Sequence, residues 1–319
     1  MPEVDPVHVR LPNWVGDACM CLPALALLQQ AGHGLVLHGR PWAGDLLNGL
    51  TPAAFVPLGK RFGANLATTR QAVPDRGRPR GIVFPNSLSS AALFRLAGIR
   101  AAGYRGNGRS PLLRWALPKP SGLHEVEVFY RLAREALLRW HPGIKLPATP
   151  GPRLALPLTP AHRAAADRAL AEVGITGPFV LLAPIATGLH HGRSKAWPLF
   201  GDLAQALATQ GVTCVTCPPA HEAEATRRAA PAATVLPPLE LGAFAALTQR
   251  AAAIVCNDSG TSHVAAAAGA RQITLFGVTR RERTGPWTPD AVCLGDDGRW
   301  PTLPEVIDAV RSLLSSPST

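Results

Sequence analysis

No stretch of this 319-residue chain stays apolar long enough to cross a bilayer as a helix. The N-terminal segment Met1-Pro2-Glu3-Val4-Asp5 is acidic and lacks the basic and apolar regions of a secretory signal. A cytoplasmic protein is therefore expected. Six cysteines in a chain of this length do not make a disulfide scaffold. Lysine is scarce beside arginine, and the accompanying excess of Ala and Pro reflects genome base composition more than function. There is no Walker loop, no G-x-G-x-x-G and no G-x-S-x-G, which argues against P-loop NTPases, dinucleotide dehydrogenases and α/β-hydrolases. Internal repeats and low-complexity tails are missing too. No cluster of Asp, His or Cys has a convincing metal spacing, so neither a metal nor another cofactor is expected. Cys214-Val215-Thr216-Cys217 has the redox or zinc spacing on paper. It falls in a predicted strand, where positions three apart point to opposite faces, and no second pair matches it, so buried packing is the expectation. Cys19 and Cys21 also read as core residues.

What is present is enough apolar residue, 47%, for a sizeable core, and a length that favours two domains. The net charge of +11 is unevenly divided. Residues 1–150 hold 18 Lys+Arg against 8 Asp+Glu, hence +10; residues 151–319 hold 14 against 13, hence +1. The cations cluster at Arg76, Arg78 and Arg80, and again from Arg95 to Arg114. Such a surface is either simply solvated or built for a polyanion: nucleic acid, anionic lipid or an acidic glycolipid.

Both halves alternate between strand and helix patterns. Strands are predicted at Val7–Leu11, Gly34–His38, Gly81–Phe84 and Ala101–Tyr104, then at Phe179–Ala183, Thr213–Cys217, Ala253–Cys256 and Gln272–Phe276. Helices are predicted at Ala18–Gln30, Ser89–Ala97 and Glu125–Trp140, then at Pro160–Val173, Pro198–Gln210, His221–Ala230, Gly242–Arg250, Ser262–Ala268 and Pro304–Leu314. The stretch Lys145–Pro160 holds five prolines and reads as a linker. The pattern predicts two α/β domains, 1–150 and 151–319, with mainly parallel sheets that bind ligands beyond the carboxyl ends of their strands.

Two segments carry most of the chemistry. Leu11-Pro12-Asn13-Trp14-Val15-Gly16-Asp17 reads as strand, tight turn and helix start, with a lone carboxylate at the turn. On these residues alone Asp17 is first of all a helix N-cap, yet the end of a strand is also where a catalytic base belongs. Trp14 beside it either shields the site from water or packs the turn. In Asn257-Asp258-Ser259-Gly260-Thr261-Ser262-His263, small residues at a helix start let an anion approach backbone N–H groups. Capping by Asp258 or Ser259 is the plainer reading, and His263 is as readily packed in the helix as in contact with a ligand. A third segment, Thr187 to Pro198, is a polar loop in which Arg193 and Lys195 are able to neutralise a diphosphate; its Pro198 suits a first helical turn.

Taken in order, these segments resemble the ADP-heptose:lipopolysaccharide heptosyltransferases of glycosyltransferase family 9, most closely the heptosyltransferase II type. The motifs are Pro12-Asn13-Trp14-Val15-Gly16-Asp17, His124-Glu125-Val126-Glu127-Val128-Phe129-Tyr130, Lys195-Ala196-Trp197-Pro198, Asn257 to Ala267, Phe276-Gly277-Val278-Thr279 and Arg283-Thr284-Gly285-Pro286. The chain departs from the family at Arg280-Arg281, where Asp-Pro is frequent, and at Pro218–Glu222, where a Gly-rich stretch is usual. The resemblance implies a GT-B fold, two Rossmann-like domains facing across a cleft: residues 1–150 bind the acceptor and 151–319 the nucleotide sugar, with the last helix a candidate to pack back on the first domain.

It further implies metal-independent, inverting transfer of heptose from ADP-heptose to the anionic lipopolysaccharide inner core, at the cytoplasmic face of the inner membrane. Asp17 is the implied base. Thr187, Lys195, Ser259, Gly260 and Thr261 are expected to hold the diphosphate. Asp258, Glu222 and His263 are expected on the donor sugar or nucleoside, and Arg76, Arg78 and Arg80 on the acceptor. The alternatives are another GT-B enzyme with a different nucleotide sugar, a transferase or an epimerase, or a basic nucleic-acid-binding protein. No basic-aromatic RNA motif supports the last, so no nucleic-acid partner is expected.

Overall fold

The computed structural model describes residues 4–74, 77–186, 188–190 and 192–316; Arg76, Thr187 and His191 lie outside them. The chain divides into two compact units, Met1–Gly151 and Pro152–Thr319.

The first unit runs β1 (Val4–Arg10), α1 (Val15–Met20), α2 (Leu22–Gln30), β2 (His33–Gly39), α3 (Pro41–Leu46), β3 (Ala54–Pro57), α4 (Phe62–Gln71), β4 (Arg80–Val83), α5 (Leu88–Leu96), β5 (Arg100–Tyr104), β6 (Trp115–Leu117) and α6 (Glu125–Trp140). Its sheet has the order β3-β2-β1-β4-β5-β6 and every pairing is parallel. Helices cover both faces: α2 packs on α6, and α4 packs on α5. This burial on two sides is why Val7, Val9, Leu35, Leu37, Ile82 and Val83 form near-continuous apolar runs.

The expected single helix over 18–30 is two. The first begins earlier, at Val15, and the second restarts at Leu22 with Pro23 in its opening turn. Pro has no N–H to donate, so it fits a helix start better than a helix interior. Helix α6 opens with a reciprocal capping box, in which Glu127 Oε2 accepts from the His124 N–H at 3.0 Å and His124 Nδ1 accepts from the Val126 N–H at 3.2 Å.

The second unit runs α7 (Pro160–Glu172), β7 (Val180–Ala183), β8 (Leu189–His190), β9 (Arg193–Ser194), α8 (Phe200–Thr209), β10 (Cys214–Thr216), α9 (Ala223–Ala229), β11 (Thr234–Val235), α10 (Leu241–Arg250), β12 (Ala253–Asn257), α11 (Gly260–Ala268), β13 (Gln272–Leu275), α12 (Arg281–Thr284), β14 (Val292–Leu294) and α13 (Leu303–Ser315). The order β11-β10-β7-β12-β13-β14, again all parallel, repeats that of the first unit. The short strands β8 and β9 form a separate antiparallel hairpin where only a polar loop was expected. Pro198 precedes α8, whose N-cap is Leu199, and so stands outside the helix it was expected to open.

The Pro-rich segment is not a free tether throughout. The Leu154 N–H bonds Trp287 O and the Leu156 N–H bonds Ala267 O, and both leucines are buried. The last helix, α13, sets Val306 and Val310 into the second unit's own core with Phe200, Leu203 and Ile273. The two sheets make this an α/β fold of the GT-B type with two Rossmann-like domains. In each, the strand order reverses beside the first strand, at β1/β4 and at β7/β12, which is where such sheets bind ligands.

Candidate functional site

In the first domain the turn after β1 is shaped by a buried arginine. Arg10 donates to Leu11 O and, at 2.7 Å, to Asn13 Oδ1. Burial, with Arg40 nearby, lowers its pKa to about 10. Arg109 does the same for the turn after β4: fully buried, it donates to Pro85 O and, at 2.6 Å, to Asn86 Oδ1. Arg10 did not stand out in the sequence, and Arg109 did so only as one of the cations from Arg95 to Arg114, because an arginine gives no sign of being buried until its turn is built.

Asp17 is not the cap of α1. That place belongs to Trp14, which makes no side-chain cap bond, and Asp17 stands in the first helical turn. The cap reading fails because the helix begins before Gly16, not after it. Asp17 is half-buried, and its carboxyl is raised from 3.8 to about 6. Burial is the first cause, the negative charge of Glu125 the second, and Lys119 opposes them. Lys119 and Glu125 are themselves 3.5 Å apart. A carboxyl titrating near 6 is ionised at neutral pH yet still basic enough to take a proton. Trp14 is 75% exposed, so it does not pack the turn. Nothing in the sequence places Lys119 or Glu125 beside Asp17, although Glu125 lies in the His124–Tyr130 motif.

Arg78 and Arg80 do not accompany Asp17. Arg80 opens β4, paired in parallel with β1, whereas Asp17 lies beyond the far end of β1. Arg80 instead stacks over Trp140, 5.7 Å from the ring centre, and approaches His141 at 3.4 Å. Among the cations that follow strand ends, on the Asp17 edge, are Arg40, Lys60, Arg61, Arg105 and Lys119. Arg76, expected with Arg78 and Arg80, is outside the described residues.

In the second domain Asn257 ends β12 fully buried and ties three segments together. Its Oδ1 accepts from the Trp197 N–H at 2.8 Å, and its Nδ2 donates to Pro184 O at 3.0 Å. Trp197 is buried as well and donates from Nε1 to Pro301 O at 2.9 Å. These bonds place Lys195. Its Nζ lies 3.4 Å from Asp258 Oδ2, which also accepts from Thr279 Oγ1 at 2.6 Å. Thr279 ends the Phe276–Thr279 motif, and nothing in the sequence placed it beside Asp258. Gly277, just before it, lies against Trp300: an added Cβ would meet the indole at 2.0 Å, so only glycine fits.

The cap of α11 is Ser259, whose Oγ accepts from the Thr261 N–H at 3.3 Å; Asp258 is committed to Lys195 and Thr279 instead. The start of α11 therefore presents Gly260 and Thr261 with one N–H already engaged by the cap. His263 is buried one turn further on. Glu222 follows β10, half-buried, 3.8 Å from His221. Arg193 donates to Asp297 Oδ1 at 2.8 Å. Thr187 lies outside the described residues.

Cys214 is buried and Cys217 half-buried, with thiols raised by burial to about 11 and about 12. Cys19 and Cys21 are fully buried. Among the described residues no group of three or more His, Cys, Asp or Glu could hold a metal ion.

The arrangement offers a near-neutral carboxylate on one domain and, on the other, a cation–carboxylate–hydroxyl triad beside a helix start. The chain as a whole is similar to known proteins. Lipopolysaccharide heptosyltransferase 2 of Escherichia coli (strain K12) is 27% identical over 301 residues, 86% of this chain and 83% of that protein. The solved structure of the Escherichia coli ADP-heptose LPS heptosyltransferase II superposes with a TM-score of 0.76 at 25% identity, covering 97% of this chain and 98% of that one. A glycosyl transferase family 9 structure from Veillonella parvula has the same fold, with a TM-score of 0.81 at 18% identity and 98% of each chain covered. The family model of glycosyltransferase family 9 (heptosyltransferase) matches residues 69–306, most of the chain, so the protein belongs to that family of glycosyltransferases.

Proposed function

We propose that this enzyme transfers a heptose from ADP-heptose to the lipopolysaccharide inner core, with inversion and without a metal. The observation that carries this reading is the Asp17 carboxyl, raised to about 6 at the strand end of the first domain. The acceptor hydroxyl attacks the anomeric carbon from the face opposite the diphosphate. As the new C–O bond forms and the old one breaks, Asp17 takes the hydroxyl proton and ADP departs as the anion. Lys195 and the first N–H groups of α11 meet the charge that develops on the diphosphate. Asp258, held by Thr279, fixes Lys195 and is available to a sugar hydroxyl, and Glu222 to the ribose.

The first domain binds the acceptor. Its anionic sugars are served by the cations on the Asp17 edge, Arg40, Lys60, Arg61 and Arg105, in preference to Arg78 and Arg80. No helix among the described residues is long and apolar enough to cross a membrane, and the positive first domain suits a peripheral seat at the cytoplasmic face, where the acceptor is made. Mass spectrometry of products from ADP-heptose and truncated core acceptors, with a panel of other nucleotide sugars and with EDTA added, tests this. One heptosyl increment, from ADP-heptose alone and insensitive to EDTA, is expected. Transfer from a different donor, or activity lost to EDTA and restored by Mg²⁺, would overturn the corresponding part.

A further inference from the structure

The edge of the first domain opposite Asp17 carries a cavity of about 680 Å³ that the transfer reaction does not use. Arg78, Arg95, Arg100 and Arg114 line it, and among the described residues no acidic one does. They come from four places that the fold brings together: the approach to β4, the last turn of α5, the start of β5 and the residue before β6. All four are exposed, and none forms an ion pair among the described residues. Arg100 is held in place by its Nε, which donates to Arg78 O at 3.1 Å. The lining also includes the buried side chains of Ile99 and Leu113.

Four like charges around one hollow repel each other unless an anion sits among them. Guanidinium groups bond phosphate oxygens in pairs, and an apolar lining accepts the carbon body the phosphate is attached to. We infer that this cavity is a second anion site of the protein, and that its ligand is a phosphate ester or diester, either of a lipid headgroup or of a soluble metabolite. The site is separate from the proposed donor and acceptor sites and does not depend on the transferase reading.

The test uses the full chain and the double variant Arg95→Gln/Arg100→Gln, with thermal unfolding to confirm that both are folded. Inorganic pyrophosphate is titrated by calorimetry, and binding to vesicles of phosphatidylglycerol and phosphatidylcholine is compared with vesicles of phosphatidylcholine alone. Losing two charge-assisted contacts should weaken whichever ligand uses the cavity about tenfold or more, and raised salt should weaken the wild type. Variant-sensitive vesicle binding without variant-sensitive pyrophosphate binding assigns a headgroup; the reverse assigns a soluble phosphate. Lys195→Ala is the control. If pyrophosphate and vesicles both bind the double variant as they bind the wild type, the inference is wrong. It is equally wrong if only Lys195→Ala removes binding.

Discussion

Replacing Glu125 by Gln should make Asp17 a stronger acid, and replacing Lys119 by Met should make it a weaker one. Asp17 stands at about 6 because burial and the Glu125 charge raise it while Lys119 lowers it. A base with that pKa is about 90% ionised at pH 7 and about 9% ionised at pH 5. Below pH 6, kcat/KM should therefore fall about tenfold per unit. One neighbouring charge at a half-buried site is worth roughly half a pKa unit to one unit. In Glu125→Gln the repulsion disappears and Lys119, no longer paired at 3.5 Å, acts on Asp17 alone. The acid limb should move toward lower pH. In Lys119→Met the Glu125 charge is unopposed, and the limb should move toward higher pH. The assay is kcat/KM against pH with a soluble truncated acceptor.

Asp17→Asn should remove the limb and lower the rate by about a hundredfold to ten-thousandfold. The same group gives an independent reading in stability. Its folded pKa lies above its unfolded one, so its ionisation penalises folding above about 6 and costs nothing below 3.8. Asp17→Asn should therefore stabilise the protein at pH 7, by at most ~3 kcal/mol and less in proportion to its exposure, and not at pH values under 3.8. Limbs that coincide in all variants, or that move in the same direction for both neighbours, would show that Asp17 is not the titrating base.

Lys195→Ala should weaken ADP by about tenfold to a hundredfold in Kd and leave the acceptor's affinity unchanged; calorimetry with an unchanged ADP affinity would remove Lys195 from the donor site. Asn257→Ala strands the Trp197 N–H and Pro184 O that Asn257 bonds at 2.8 and 3.0 Å, and should destabilise the fold by about 2–4 kcal/mol. A wild-type denaturation midpoint would contradict that. His8 and His38, buried and 2.9 Å apart in neighbouring strands, are lowered by burial to about 4 and about 3. Both stay neutral in the fold while the unfolded chain takes up protons, so stability should be full above about 6.5 and decline as pH falls toward 4. His8→Asn should flatten that decline between pH 7 and pH 4.5, measured by denaturant unfolding, and an unchanged slope would show that the pair does not govern it.

The sequence by itself determined the four central strands of each sheet. In the first domain these are β2, β1, β4 and β5, and in the second β10, β7, β12 and β13, each within a residue of its predicted place except β1, which begins three residues earlier. A strand covered by helices on both faces must be apolar throughout, and that run is visible without a structure. The edge strands β3, β6, β11 and β14 were not legible. They are two to four residues long and at least partly exposed, so no run marks them. Helices α3 and α4 were missed for a related reason, since α4 has Thr69 as its one buried residue and no apolar stripe.

The site divides in the same way. Asp17, Lys195 and the Asn257–Thr261 turn could be named from local pattern, because strand-end turns with small and polar residues are visible in one dimension. Only the tertiary structure decided what each of them does next to its neighbours. It gave Asp17 its pKa, through burial first and then through Glu125 and Lys119, more than a hundred residues away. It bound Asp258 to Lys195 and Thr279 instead of to a helix end. It also set Arg78 and Arg80 at the wrong end of a parallel strand to join Asp17, because charge counted along a chain carries no information about which edge of a sheet it will occupy.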